Sequence, residues 1–235
     1  MRRLKLLSLA MMASFGFTSV ANAHFPWLAL EDGKAVYFFG ENPAERTYKL
    51  PPSIAKAEVR ALAKKGKAQK LELSTVETDD FIGMTSNGSV DANTALVSKV
   101  TYGMFQGMAL KYYTQCQGGK LPTKREAYKR VGKQLDLYAQ AVDTDSGVDV
   151  YVMFKGKPLP NAEVQLFCED GHEEGNATTD ENGKVSFNDK EVEDGLNGIM
   201  VGHRTDEAGK FGDQAYEKSA HYLTMTFSDP QDFEK

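Results

Sequence analysis

The chain carries only four histidines, and one of them, His24, directly follows the small-x-small triplet Ala21-Asn22-Ala23. Behind Arg2, Arg3 and Lys5 and the apolar run from Leu6 to Phe17, that triplet reads as a signal-peptidase site, so cleavage after Ala23 is expected to leave His24 as the mature N-terminus. A free α-amine and imidazole on one residue can close a chelate ring on a single ion, a histidine-brace arrangement suited to Cu(II), Ni(II) or Cu(I). With ordinary pKa values of about 8 and about 6.5, both groups give up their protons near neutral pH at modest cost. Pro26 excludes the other N-terminal copper or nickel site, because the third residue of that site must supply a backbone N–H and proline has none.

A brace needs a further ligand, and strand parity selects two. His203 shares parity with Ile199 and Val201, and His221 with Leu223, Met225 and Phe227, so both rings are expected on the apolar side of their strands. Either ring alone is also compatible with a core histidine hydrogen-bonded to its surroundings. Taken with His24, the two suggest a shared three-histidine metal site, with Asp206, Glu207 and Asp213 placed between the ligand strands to accept from a ligand N–H. His172 sits in the charged turn Glu169-Asp170-Gly171-His172-Glu173-Glu174 and is expected to be a solvated loop residue.

Two cysteines, Cys116 and Cys168, complete the inventory, and in an oxidising compartment a lone pair is expected to form a disulfide. Nucleophile elbows, phosphate-binding glycine loops, His-Glu-x-x-His and Cys-x-x-Cys motifs are missing from the sequence, so hydrolysis through an activated nucleophile has no support. The aromatic runs Tyr37-Phe38-Phe39 and Tyr112-Tyr113 read as strand packing.

The elements that must position these residues are strands. Val148, Val150, Val152 and Phe154 alternate with more polar neighbours, Lys155-Gly156-Lys157-Pro158 turns the chain, and Ala162, Val164, Leu166 and Cys168 resume period two. Asn182-Gly183 marks a turn into Val185–Phe187, and strands follow over 198–204 and 221–227. Upstream, short alternating runs around 36–39, 57–61 and 71–73 are punctuated by Gly40, Pro51-Pro52, Gly66 and Asn87-Gly88. Thr123-Lys124-Arg125-Glu126 fits a capping box opening a short basic helix, although Leu135 to Ala141 already alternate as a strand would.

The expected architecture is therefore mainly β, two β-sandwich domains of immunoglobulin or prealbumin type after a cleaved signal peptide: 1–23 signal peptide, 24–115 N-terminal β domain, 116–145 connector, 146–229 C-terminal sandwich, 230–235 tail. With 41% apolar and 26% charged residues the composition is ordinary for a globular protein. The net charge is −5, becoming −8 once Arg2, Arg3 and Lys5 are removed with the signal peptide, so nucleic acid is not an expected partner. No later run approaches the roughly 18 apolar residues of a membrane span. A periplasmic or secreted location follows as the expectation, with the oligomeric state open.

The stretch Lys155-Gly156-Lys157-Pro158-Leu159-Pro160-Asn161-Ala162-Glu163-Val164, followed by Thr179-Asp180-Glu181-Asn182-Gly183-Lys184-Val185-Ser186-Phe187, resembles carboxypeptidase-regulatory-like sandwich modules. With Ala23-His24-Phe25-Pro26-Trp27 and the late His-Tyr-Leu-Thr strand, the mature chain is similar to the nickel-uptake-associated periplasmic (NikM-like) family. That resemblance implies a periplasmic protein binding nickel, copper or possibly cobalt as its ion and partnering a metal uptake system in the membrane. Two alternatives stay open: a structural or surface β-sandwich making protein or glycan contacts without metal, and a histidine-brace copper redox enzyme.

Overall fold

The computed structural model describes residues 24–63, 67–125 and 128–228. The expected signal peptide (1–23) and tail (230–235) lie outside the described residues. The chain runs through β1 (Phe25–Glu31), β2 (Lys34–Gly40), a one-turn α1 (Pro52–Ala55), β3 (Val59–Leu62), β4 (Gln69–Lys70), β5 (Leu73–Glu77), β6 (Ile82–Ser86), β7 (Ala95–Phe105) and β8 (Met108–Gln117). After a one-turn α2 (Lys129–Gly132) come β9 (Leu137–Thr144), β10 (Gly147–Phe154), β11 (Lys157–Pro158), β12 (Glu163–Phe167), β13 (Glu173–Thr178), β14 (Lys184–Asn188), β15 (Leu196–Thr205), β16 (Gly209–Phe211), β17 (Gln214–Tyr216) and β18 (Lys218–Ser228). The fold is mainly β, as the alternation in the sequence requires, and among the described residues no helix is long and apolar enough to cross a membrane.

A central sheet of eight strands, in the order β13-β12-β15-β18-β8-β7-β3-β4, carries a layer on each face. On one face lie β9, β10, β11 and β14, whose inward residues Leu137, Ala139, Ala141, Val148, Val150 and Val152 share a core with Val164, Leu166, Ile199, Val201, Leu223, Met225 and Phe227. On the other face the sheet β1-β2-β6-β5 brings Leu28, Tyr37, Phe39 and Met84 against Leu96, Tyr112 and Cys116. Because pleated side chains alternate, neighbouring residues of one central strand enter opposite cores: Tyr112 one and Tyr113 the other, Leu96 one and Val97 the other. The two sandwich-like packings therefore share a sheet buried on both sides, which suits the continuous apolar and aromatic character of these strands.

The parallel pairing of β18 with β8, from Lys218↔Met108 to Phe227↔Gln117, welds the C-terminal strands to the N-terminal ones. The segment 24–115 consequently does not close a sandwich of its own; its outer layer packs on a sheet that β12, β15 and β18 help to build. Residues 116–145, expected as a connector, hold the end of β8, α2 and all of β9, and β9 pairs with β10 over eight positions as a full member of the second packing. Among the described residues the basic helix is a single turn, Lys129–Gly132, and Thr123–Arg125 are not helical; Glu126 of the expected capping box lies outside the described residues.

The expected disulfide is not formed. Cys116 and Cys168 are free and buried. Cys116 lies on β8 and Cys168 just past β12, so β15 and β18 stand between them; three strand spacings of about 4.8 Å put them about 14 Å apart across the sheet, beyond the ~7 Å that a disulfide spans.

Candidate functional site

His24 opens β1, and its surroundings are set by the β1–β2 hairpin. Asp32 and Gly33, both at positive φ, form its tight turn, and the register then runs back to Phe25↔Gly40. The chain leaving Gly40 thus folds over the first residue of the strand. Gly40 permits this, because a Cβ there would run into the Glu45 backbone carbonyl. The 41–45 loop is held by Asn42, whose Oδ1 accepts from the backbone N–H groups of Ala44 and Glu45, each at 3.0 Å. Arg46 donates to Pro43 O at 3.0 Å and pairs with Glu31 at 2.6 Å, with its guanidinium over the Phe38 ring.

That loop returns two carboxylates to the imidazole. His24 Nε2 stands 3.4 Å from Glu45 Oε2 and 3.9 Å from Glu41 Oε1, and Glu45 Oε2 also accepts the Glu41 backbone N–H at 2.7 Å. Tyr48 covers the ring at a centroid distance of 3.7 Å and Phe39 stacks on it at 5.9 Å. The His24 side chain is 19% exposed and the carboxylates about a third, so the site is open to solvent on one side. The three residues offer ligand atoms within 4.8 Å of one another, a spacing that one cation could bridge. Glu41 and Glu45 had no place in the sequence reading; in Gly40-Glu41-Asn42-Pro43-Ala44-Glu45 they look like ordinary loop acids, and only the hairpin register aims them at His24.

His203 and His221 do share a face, as parity predicts. They are directly opposed on β15 and β18, with ring centroids 6.2 Å apart and Phe154 set edge-on to both, at 4.6 Å from His203 and 4.9 Å from His221. Their face, however, is that of Leu223, Met225 and Phe227, whereas His24 belongs to the layer on the other face. There, Thr224 Oγ1 donates to Pro26 O and Thr226 Oγ1 to Leu28 O, both at 2.5 Å, and Phe25 packs on Tyr112 and Tyr222. The central sheet separates the two histidine environments, so the expected three-histidine site does not assemble.

Nor does His221 present a spare ligand atom. It is fully buried, its Nδ1 lies 3.0 Å from Tyr113 Oη and its Nε2 3.1 Å from Thr205 Oγ1, while Tyr113 Oη lies 3.4 Å from Asp136 Oδ2. One neutral tautomer satisfies the whole chain: Thr205 donates to Nε2, Nδ1–H donates to Tyr113, and Tyr113 donates to Asp136. Burial, then the nearby Lys111, holds the imidazolium off and pulls the His221 pKa down to about 4 despite Glu207 at 3.6 Å. Burial lowers His203 as well. Of the acids expected to support a histidine ligand, Glu207 does lie beside His221 but also pairs with Lys111 at 3.5 Å and Lys155 at 3.3 Å, and Asp206 pairs with Lys218. His221 is a satisfied core histidine.

His172 is exposed on the β12–β13 loop, as expected, yet its ring lies within ligand range of Cys168 and Glu174.

No known family's sequence pattern matches the chain. No curated protein sequence matches it either. Among solved structures, the FN1–FN3 domains of chicken CNTN1 align over 88% of this chain and 68% of that one, at 8% identity and a TM-score of 0.22, a likeness too slight to carry weight.

Proposed function

We propose that the mature chain is an exported transition-metal-binding protein of the periplasm, accompanying a metal uptake system in the membrane and catalysing no reaction itself. Its ion, nickel or copper and possibly cobalt, is held at the N-terminus of the mature protein by His24 together with Glu41 and Glu45. One observation carries this reading: two carboxylates from a single constrained loop converge on the imidazole that follows the signal-peptidase triplet. One nitrogen and two oxygens suit a borderline divalent ion, and the carboxylates offset its charge.

A second arrangement at the same residue is favoured by the orientation of the ring. Nε2 faces Glu45, which leaves Nδ1 for a chelate with the residue's own α-amine, the carboxylate then fixing the ring by accepting Nε2–H. In both arrangements metal binding depends on His24 and on Glu45; only the brace depends on the amine.

Calorimetric titration of mature protein with Ni(II) and Cu(II) tests the reading. The expected result is a strong site at His24 that weakens at least tenfold in the Glu41→Gln/Glu45→Gln double variant. An extra residue before His24 converts the amine to an amide: lost affinity identifies the brace, retained affinity the imidazole–carboxylate set. Wild-type affinity in the double variant would overturn the proposal.

A further inference from the structure

We infer that the β12–β13 loop holds a second, thiolate-bearing site for a divalent cation of zinc or cobalt type, formed by Cys168, His172 and Glu174. This inference goes beyond the N-terminal site and does not depend on it.

The loop brings the three together by backbone geometry. Cys168 N–H donates to His172 O at 3.1 Å, and Gly171 N–H returns to Cys168 O at 3.0 Å, so the chain turns tightly between the cysteine and the histidine. The irregular register after Leu166, with Phe167 opposite Glu173, then carries Glu174 back past the turn. The result is a Cys-x3-His-x-Glu pattern whose sulfur, ring nitrogen and carboxylate oxygen lie within 4.8 Å of one another. Cys168 is buried, Glu174 half-buried and His172 exposed, so the pocket is closed at the sulfur and open at the imidazole, where an ion can enter.

The chemistry is that of a borderline ion. A thiolate, an imidazole and a carboxylate are the ligand types of zinc sites, and a sulfur ligand selects against magnesium and calcium. A divalent ion bound there is neutralised by thiolate and carboxylate together, with release of the thiol proton. Cys168 has no second cysteine within reach, so metal ligation is the use of this thiol that its neighbours support. The loop also touches the residues that position the first site, since a Cβ on Gly171 would meet Asn42 Oδ1 at 2.5 Å, between Glu41 and Glu45.

Cobalt(II) titration of the metal-free mature chain, read in the near ultraviolet, tests the site. The expected result is a thiolate-to-cobalt charge-transfer band that saturates at one ion per chain, disappears in Cys168→Ser, and needs at least tenfold more cobalt in His172→Ala or Glu174→Gln. His172 is exposed on the loop and Glu174→Gln keeps the shape of a half-buried side chain at the start of β13, so both variants should keep the wild-type circular dichroism. The same band must survive in Cys116→Ser and in the variant extended before His24. Absence of the band, or a band unchanged in Cys168→Ser or His172→Ala, overturns the inference. The His24 site contains no sulfur, so its failure would remove the nickel binding that depends on Glu41 and Glu45 and leave this band intact.

Discussion

His24 and His221 lie on opposite faces of one sheet: β18 turns Thr224 and Thr226 toward the β1 backbone beside His24, and turns His221 with Leu223 and Met225 into the other core. An ion bound at one cannot touch the other.

His203→Ala should accordingly leave Ni(II) affinity at the N-terminal site within about twofold of wild type, whereas Glu45→Gln weakens it about tenfold, since only the second removes a group beside the ion. Calorimetry of the two variants decides this, and a tenfold loss in His203→Ala would restore the shared site.

Stability should fall in acid through His221. Its folded pKa of about 4 lies below the ordinary value of about 6.5, so the unfolded chain takes up the proton first. The stabilisation is complete above pH 6.5, is lost as pH falls toward 4, and amounts to something on the order of 3 kcal/mol. The groups facing the ring act in both directions: Lys111, Lys155 and His203 oppose its protonation and Glu207 favours it. Denaturant titrations at pH 7.5 and 4.5 should show the decline, and His221→Gln should flatten it while lowering stability at pH 7.5.

Both cysteines should titrate as thiols. In unfolded, chelator-treated protein that has never met a reductant, two alkylations per chain are expected. Native protein should leave Cys116 unreacted, because burial raises its pKa to about 11 and keeps the reactive thiolate scarce. Intact mass after alkylation is the measurement; a mass with no alkyl groups would reveal a disulfide.

Gly40→Ala should damage fold and site together. The new methyl group meets the Glu45 carbonyl, and relieving that contact displaces the loop that aims Glu41 and Glu45. A loss of about 1–3 kcal/mol is expected from overpacking of this kind, with weaker nickel binding at temperatures where the variant is folded. Ala44→Gly in the same loop, with no such contact, serves as the control, and equal midpoints for Gly40→Ala and wild type would count against the account of the loop.

The sequence by itself determined that the protein is built of strands, because period-two alternation and paired turn residues leave a backbone little other choice. It also determined which residues of a strand share a face: Ile199, Val201 and His203 on β15, and His221, Leu223 and Met225 on β18, stand together as parity requires. Parity is a local property of the pleat, and so it is legible one strand at a time. Which layer covers which face is not local. The parallel union of β18 with β8 joins segments more than a hundred residues apart, and that union places His24 across the sheet from the other two histidines, leaves two strands between Cys116 and the segment bearing Cys168, and makes one central sheet serve both cores. The carboxylates at His24 and the Cys168–His172–Glu174 group likewise depend on hairpin register and loop closure, where a shift of one residue would send each side chain to the other side; only the packed tertiary structure decides that register.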